Sequence, residues 1–139
     1  PLHDEIVEQV HRLQMEEHIH FLGFRNDIKN VIVQSDVLVL TSVYEGLPLT
    51  PMEAFSVHRA VIATDIDGTR EVVQDHFNGI LVRTKDPESI ADGIYEVYQD
   101  RKLLEQLSEK AYCSYCEKFN LQSFRKSYLE FYQKIQEYI

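Results

Sequence analysis

Three short runs, Val37-Leu38-Val39-Leu40, Ala60-Val61-Ile62-Ala63 and Gly79-Ile80-Leu81-Val82, interrupt a sequence otherwise patterned for helices. Each is apolar throughout instead of at alternate positions. That pattern marks strands buried on both faces, which occur in parallel sheets covered by helices on either side. A fourth run, Ile19-His20-Phe21-Leu22, stops at Gly23 and reads as another strand. Between the runs, Glu5 to Met15 carries Ile6, Val10 and Leu13 at helical spacing. Asp27 to Gln34 reads as a short helix with Asp27 as its N-cap, and Thr69 to Gln74 as another. Strand–helix alternation of this kind predicts an α/β chain with a parallel sheet and helices on both faces.

After Val82 the strands cease. Asp86-Pro87-Glu88 combines an N-cap with Pro at the first helical position. Ile90, Ile94, Val97 and Tyr98 mark one helical face, and Leu103, Leu104, Leu107 and Ala111 mark a second within Arg101 to Glu117. A third helix, Ser123 to Tyr138, carries a heavy stripe of Phe124, Tyr128, Phe131, Tyr132, Ile135 and Tyr138. No repeat, low-complexity segment or linker divides the chain.

Composition narrows the function classes. The 139 residues hold 14 Lys plus Arg and 23 Asp plus Glu, for a net charge of −9. That length suits one domain with a real core. The acidic balance argues against nucleic acid as a partner. No apolar run approaches the ~20 residues that cross a bilayer, so no direct membrane segment is expected. The opening Pro1-Leu2-His3-Asp4-Glu5 lacks the basic and apolar regions of a signal peptide, so none is expected. Cys113 and Cys116 are too few for a disulfide framework, and their C-x-x-C spacing falls in a helical run with no second pair to complete a zinc site. They are expected to be reduced thiols. The six His show no metal-ligand spacing, and His18 and His20 read as solvated or packed rings.

Parallel sheets bind ligands at the carboxyl ends of their strands, which directs attention to the loop after Leu40. Residues 45 to 53 read E-G-L-P-L-T-P-M-E. Gly46 lets the backbone bend sharply and a ligand approach closely. Thr50 and Glu53 have capping-box spacing, with Pro51 at the first helical position. A helix starting there would present its positive end and the Met52 and Glu53 amides, with the Thr50 hydroxyl, to an anion. The same letters admit a plain reading in which Glu53 only closes the capping box and Glu45 is a solvated loop acid.

Four stretches together carry more. They are H-F-L-G-F-R-N-D-I from His20, S-D-V-L-V-L-T-S-V-Y-E-G-L-P-L-T-P-M-E-A from Ser35, A-V-I-A-T-D-I-D-G-T-R-E-V-V from Ala60 and N-G-I-L-V from Asn78. From about Leu2 to Phe131 the chain resembles glycosyltransferase family 4, and Glu45 and Glu53 match that family's E-x7-E signature. The resemblance implies one Rossmann-like half of a GT-B fold: the carboxy-terminal, donor-binding domain, spanning residues 1–139, of a retaining enzyme that uses a nucleotide-diphosphate sugar. It implies that Glu53 accepts hydrogen bonds from the ribose and that Glu45, the catalytic candidate, contacts the donor sugar. Gly46, Leu47, Leu49 and Thr50 would offer backbone N–H groups to sugar and diphosphate. Phe24 and Arg25 would lie in the base-binding loop, with Arg25 touching the base. Neither a metal nor another cofactor is implied. Asp65-Ile66-Asp67 has metal-motif spacing but stands in the family's T-D-x-x-G-T-R-E loop and is discounted.

The sequence departs from the family pattern at His58, which stands where a helix-ending Gly is usual, and at Ala60, which stands for a Pro. His58 is therefore expected to take a left-handed cap conformation at some cost. Asp67 replaces a frequent Gly and would narrow or charge the cleft. The family's upstream Arg and Lys that hold the diphosphate have no counterpart here. A fragment is expected, lacking the domain's first strands and the domain that binds a glycan or lipid-linked acceptor, and inactive alone. The Phe124–Tyr138 stripe would then lose part of its cover and favour self-association into dimers, or a folded-back helix. A cytoplasmic location follows from the resemblance, with the full-length enzyme peripheral at the inner membrane face. The competing readings are a non-catalytic ligand-binding α/β module such as a receiver, and a GT-B epimerase or phosphorylase. The first lacks its acidic cluster and Lys, and the second lacks the E-x7-E context.

Overall fold

Three of the apolar runs become strands in the computed structural model, which describes residues 2–136. β1 (Leu38–Leu40), β2 (Val61–Thr64) and β3 (Gly79–Val82) form a parallel sheet in that spatial order. The register sets Leu38 beside Val61, Ile62 beside Ile80 and Thr64 beside Val82. β2 is central and buried at every position. Its side chains alternate between two cores, as a strand's period of two requires. Val61 and Ala63 join Ile32, Ala54, Phe55, Val72, Val73 and Ala111, while Ile62 joins Ile80, Val82, Val97, Leu104 and Leu107.

Helices cover both faces. In chain order the helices are α1 (Leu2–Arg12), α2 (Ile28–Gln34), α3 (Leu49–Phe55), α4 (Asp67–Arg70), α5 (Pro87–Gln99) and α6 (Arg101–Ser114), of which α2, α3, α5 and α6 supply side chains to the two cores. A π-helical turn, Tyr115–Phe119, and α7 (Leu121–Gln136) follow. α5 starts as its sequence requires, with Pro87 at N1 and the Asp86 carboxylate accepting the Ser89 N–H at 3.0 Å. It then lies close on the sheet. A Cβ at Gly93 would come 2.8 Å from Val82 Cγ1, so the absence of a side chain sets the approach.

Some expectations do not hold. Ile19–Leu22 is not a strand; it is irregular chain, and Ile19, Phe21 and Leu22 are 41%, 45% and 55% exposed. An extended segment becomes a strand only when a neighbour takes up its backbone hydrogen bonds, and among the described residues β1 pairs with β2 alone. For the same reason β1 is an edge strand and is not buried on both faces. Leu38 and Leu40 pack on the first core, while Val39 points the other way and is 37% exposed. The helix expected over Thr69–Gln74 forms earlier, as α4.

Two further details agree with the sequence. His58 has φ +56°, with its N–H bonded to Phe55 O and the Arg59 N–H to Ala54 O, the paired bonds of a Schellman motif. Its ring stacks on Tyr112 at 3.6 Å between centroids, and this contact offsets part of the backbone cost. α7 buries none of its described side chains, and Phe124, Tyr128, Phe131 and Tyr132 are each more than half exposed. Tyr138 lies outside the described residues. Cys113 on α6 and Cys116 in the π-helical turn are exposed and unpaired.

Candidate functional site

Because the strands are parallel, the loops after β1 and β2 leave the sheet at one edge, and Glu45 stands in the first of them. Its carboxylate is half-buried and Oε1 accepts the Ser42 hydroxyl at 2.7 Å. Ser42 is itself held, since its carbonyl accepts the hydroxyl of buried Thr64, the last residue of β2, at 2.5 Å. The Thr64 carbonyl in turn accepts the hydroxyl of buried Thr69 at 2.5 Å. The Thr64 hydroxyl therefore ties the two loops together, and the Ser42 and Thr69 hydroxyls brace each loop from within. Gly68 completes the fit: a Cβ there would sit 2.2 Å from Glu45 O and 2.7 Å from Gly46 O. Only a residue without a side chain lets the second loop lie against the first.

The interlocked loops enclose a cleft of about 330 Å³ lined by Val43, Tyr44, Glu45, Asp65, Asp67 and Arg70, with Ile66. Arg70 Nε bonds Asp65 Oδ1 at 2.6 Å, and its Nη1 lies 3.2 Å from Asp67 Oδ1. The hydrogen bond from Arg70 holds the Asp65 carboxyl below its ordinary range, and the Arg70 guanidinium is correspondingly raised. The Asp-x-Asp pair is thus spent on a cation of its own chain. Among the described residues no cluster of His, Cys, Asp and Glu has a metal-binding arrangement.

Behind Glu45 the chain enters α3, and here the capping-box expectation fails. The helix begins at Leu49 with Pro48 as N-cap (φ −72°, ψ 128°) and no side-chain cap. Pro48 already has the extended backbone of an N-cap, so the first turn forms one residue before Thr50. Pro51 falls inside the first turn, still without cost to the hydrogen-bond ladder. Glu53 is exposed and makes no side-chain hydrogen bond among the described residues. The donors shift too. A helix leaves free the N–H groups of its N-cap and first three residues; Pro48 and Pro51 have none, so Leu49 and Thr50 supply them, not Met52 and Glu53. Beside this turn an apolar cavity of about 530 Å³ is lined by Leu47, Leu49, Met52, Phe119, Leu121 and Phe124, with Lys118 and Glu71 at its polar margin.

Of the residues expected in the site, Glu45 lines the smaller cleft and Leu47 and Leu49 line the apolar cavity, while Gly46, Thr50 and Glu53 lie between or after them in the chain and line neither. Phe24 and Arg25, distant from that loop in the sequence, line neither cavity either. Phe24 is 94% exposed. Arg25 donates from Nε and Nη2 to the two Asp27 oxygens at 2.7 and 2.6 Å. This pairing occupies the Asp27 carboxylate and lowers its pKa, and Asp27 makes no capping bond although it stands at the N-cap of α2. Sequence reasoning missed Ser42, Thr64 and Gly68 as builders of the site. Their signal was weak: two hydroxyls near strand ends and a Gly within a recognised motif.

A parallel sheet with helices on both faces, a run of helices after the last strand and an acid-bearing loop at the carboxyl edge define one half of a GT-B fold. Residues 1–113 match the family Glycosyl transferases group 1, and the chain belongs to that family. It is 35% identical over 91 residues to the Escherichia coli UDP-Gal:alpha-D-GlcNAc-diphosphoundecaprenol alpha-1,3-galactosyltransferase, covering 66% of this chain and 24% of that protein. The Anabaena HepE structure solved with UDP superposes with a TM-score of 0.90 at 24% identity, over 94% of this chain and 36% of that one. The carboxy-terminal domain of the group 1 glycosyl transferase LpcC from Francisella tularensis gives a TM-score of 0.77 at 28% identity, over 86% of this chain and 63% of that one. The chain therefore spans about a quarter of the length of the E. coli relative.

Proposed function

We propose that the chain is the donor-binding half of a retaining glycosyltransferase that moves a sugar from a nucleotide-diphosphate donor to a glycan or lipid-linked acceptor. The observation that carries this reading is the state of the two acids. Glu45 lies in the loop after β1 and lines a cleft there, and Glu53, on α3, is exposed and free of the capping role that would have explained it away. A carboxylate is acceptor-only and can take two hydroxyls at once. Glu53 is assigned to the ribose and Glu45, already oriented by Ser42, to the hydroxyls of the donor sugar. Gly46, Leu47, Leu49 and Thr50 flank the diphosphate, with the free N–H groups of Leu49 and Thr50 as donors. Arg25 and Phe24 are assigned to the base.

As the glycosidic bond breaks, negative charge gathers on the leaving diphosphate, and preorganised donors and cations around it supply the main stabilisation. Retention proceeds by departure and attack on one face, without either acid acting as a nucleophile. The acceptor binds a domain outside this chain, which is inactive alone and works at the cytoplasmic side of the membrane. The E. coli relative's name supports a uridine diphosphate donor and a lipid-diphosphate acceptor.

Isothermal titration of uridine and guanosine diphosphates into the chain, and into a longer protein containing it, tests the reading. Saturable binding of one nucleotide, weakened in Glu53→Ala, is expected. No binding of either nucleotide to either protein would overturn it.

A further inference from the structure

We propose that Ser42 is a positioning residue that fixes the donor-sugar carboxylate of Glu45, and that Thr64 sets Ser42 from the neighbouring strand. The inference rests on the assignment of Glu45 made above but is carried by a separate observation. The Ser42 hydroxyl donates to Glu45 Oε1 at 2.7 Å, and hydrogen bonds to ionised groups are stronger and more directional than neutral ones. A loop serine without a task would spend its hydroxyl on water or a nearby backbone group. Ser42 instead reaches the one acid of its loop, while the Thr64 hydroxyl grips its carbonyl from a fully buried position.

The consequence is an ordered carboxylate. With Oε1 fixed by Ser42, Oε2 and the remaining lone pair of Oε1 are left to accept from a ligand. The glutamate side chain has three rotatable bonds, and ordering it before the ligand arrives removes an entropic cost from binding. Ser42 therefore acts through Glu45 and touches no substrate itself. Its effect falls on recognition of the sugar, not on recognition of the nucleotide.

Two measurements on Ser42→Ala and Ser42→Thr test this. The first needs no ligand: the carboxyl 13C resonance of Glu45 should move in Ser42→Ala and return to its wild-type position in Ser42→Thr, which restores a hydroxyl. The second compares titrations of uridine diphosphate and of a UDP-hexose that the wild-type chain binds. Ser42→Ala should lose about tenfold in affinity for the nucleotide sugar, the scale of one hydrogen bond to a charged group, and leave the nucleotide unchanged. Ser42→Thr should recover it. An unmoved Glu45 resonance, or equal losses for nucleotide and nucleotide sugar, would overturn the assignment. If neither the wild-type chain nor a longer protein containing it binds a nucleotide, the proposed function fails, and the Glu45 resonance still decides the role of Ser42.

Discussion

Gly68 lies directly against the backbone of Glu45, so close that a single added carbon would stand 2.2 Å from the Glu45 carbonyl oxygen. The neighbour is backbone, not the tip of a flexible side chain, and cannot swing away. Gly68→Ala should therefore separate the two loops at the sheet edge. The expected loss is about 1–3 kcal/mol of stability, as for other overpacked positions. Urea denaturation checks this, and a loss of nucleotide-sugar binding should accompany it.

Asn78 is fully buried on the turn before β3 and spends its amide on three partners. Nδ2 donates to Val72 O at 3.2 Å and Ser114 Oγ at 3.1 Å, and Oδ1 accepts the Gln74 N–H at 2.7 Å. Asn78→Ala would strip the buried Val72 carbonyl and the Gln74 N–H of this partner, while Ser114 keeps its bond to Lys110 O, at about 1–3 kcal/mol for each group left unpaired where water cannot reach. The midpoint of urea unfolding should fall, with no change in nucleotide affinity once the protein is folded.

His76 gives the protein a pH-dependent element. Its ring lies 3.0 Å from Asp75 Oδ1 and 3.0 Å from Glu96 Oε1, so it ties the turn before β3 to α5. The hydrogen bond with Asp75, followed by the Asp75 charge and Glu96, raises the His76 pKa above its ordinary value. A raised folded-state pKa stabilises the fold fully below the unfolded value, about 6.5, and the gain disappears as pH rises through the folded value. His76 has φ +52°, a region that Asn tolerates better than most residues with a side chain, so Asn replaces it with little backbone cost. The melting temperature of wild type should exceed that of His76→Asn by more at about pH 6 than at about pH 8.5.

The parts legible in the sequence were those fixed by local chemistry or by burial on both sides. β2 and β3 announced themselves as unbroken apolar runs, because helices cover both faces of that part of the sheet. Asp86 and Pro87 announced α5, and His58 its left-handed cap. The reading faltered where a residue's state depends on a neighbour. Ile19–Leu22 has the side chains of a strand, yet pairing is not written in the segment that needs it. Val39 belongs to an apolar run but lies at the sheet's edge. At α3 the letters of a capping box were present, and Pro48 pre-empted it by starting the helix one residue earlier than Thr50. That failure sharpened the site, because it freed Glu53.

The exposed rings of α7 predict behaviour in solution. Phe124 and Tyr128 lie 4.9 Å apart between centroids, and Tyr128 and Tyr132 lie 5.6 Å apart, forming a continuous aromatic strip. We expect concentration-dependent dimers in light scattering, reduced by Tyr128→Lys. A monodisperse monomer at all concentrations would contradict this.

The site itself is tested most directly by a crystal of the chain soaked with the nucleotide sugar it binds. Density is expected along the first turn of α3, with the ribose within hydrogen-bond distance of Glu53 and the sugar hydroxyls facing Glu45. Density seated elsewhere, or a ligand touched by neither carboxylate, would contradict it.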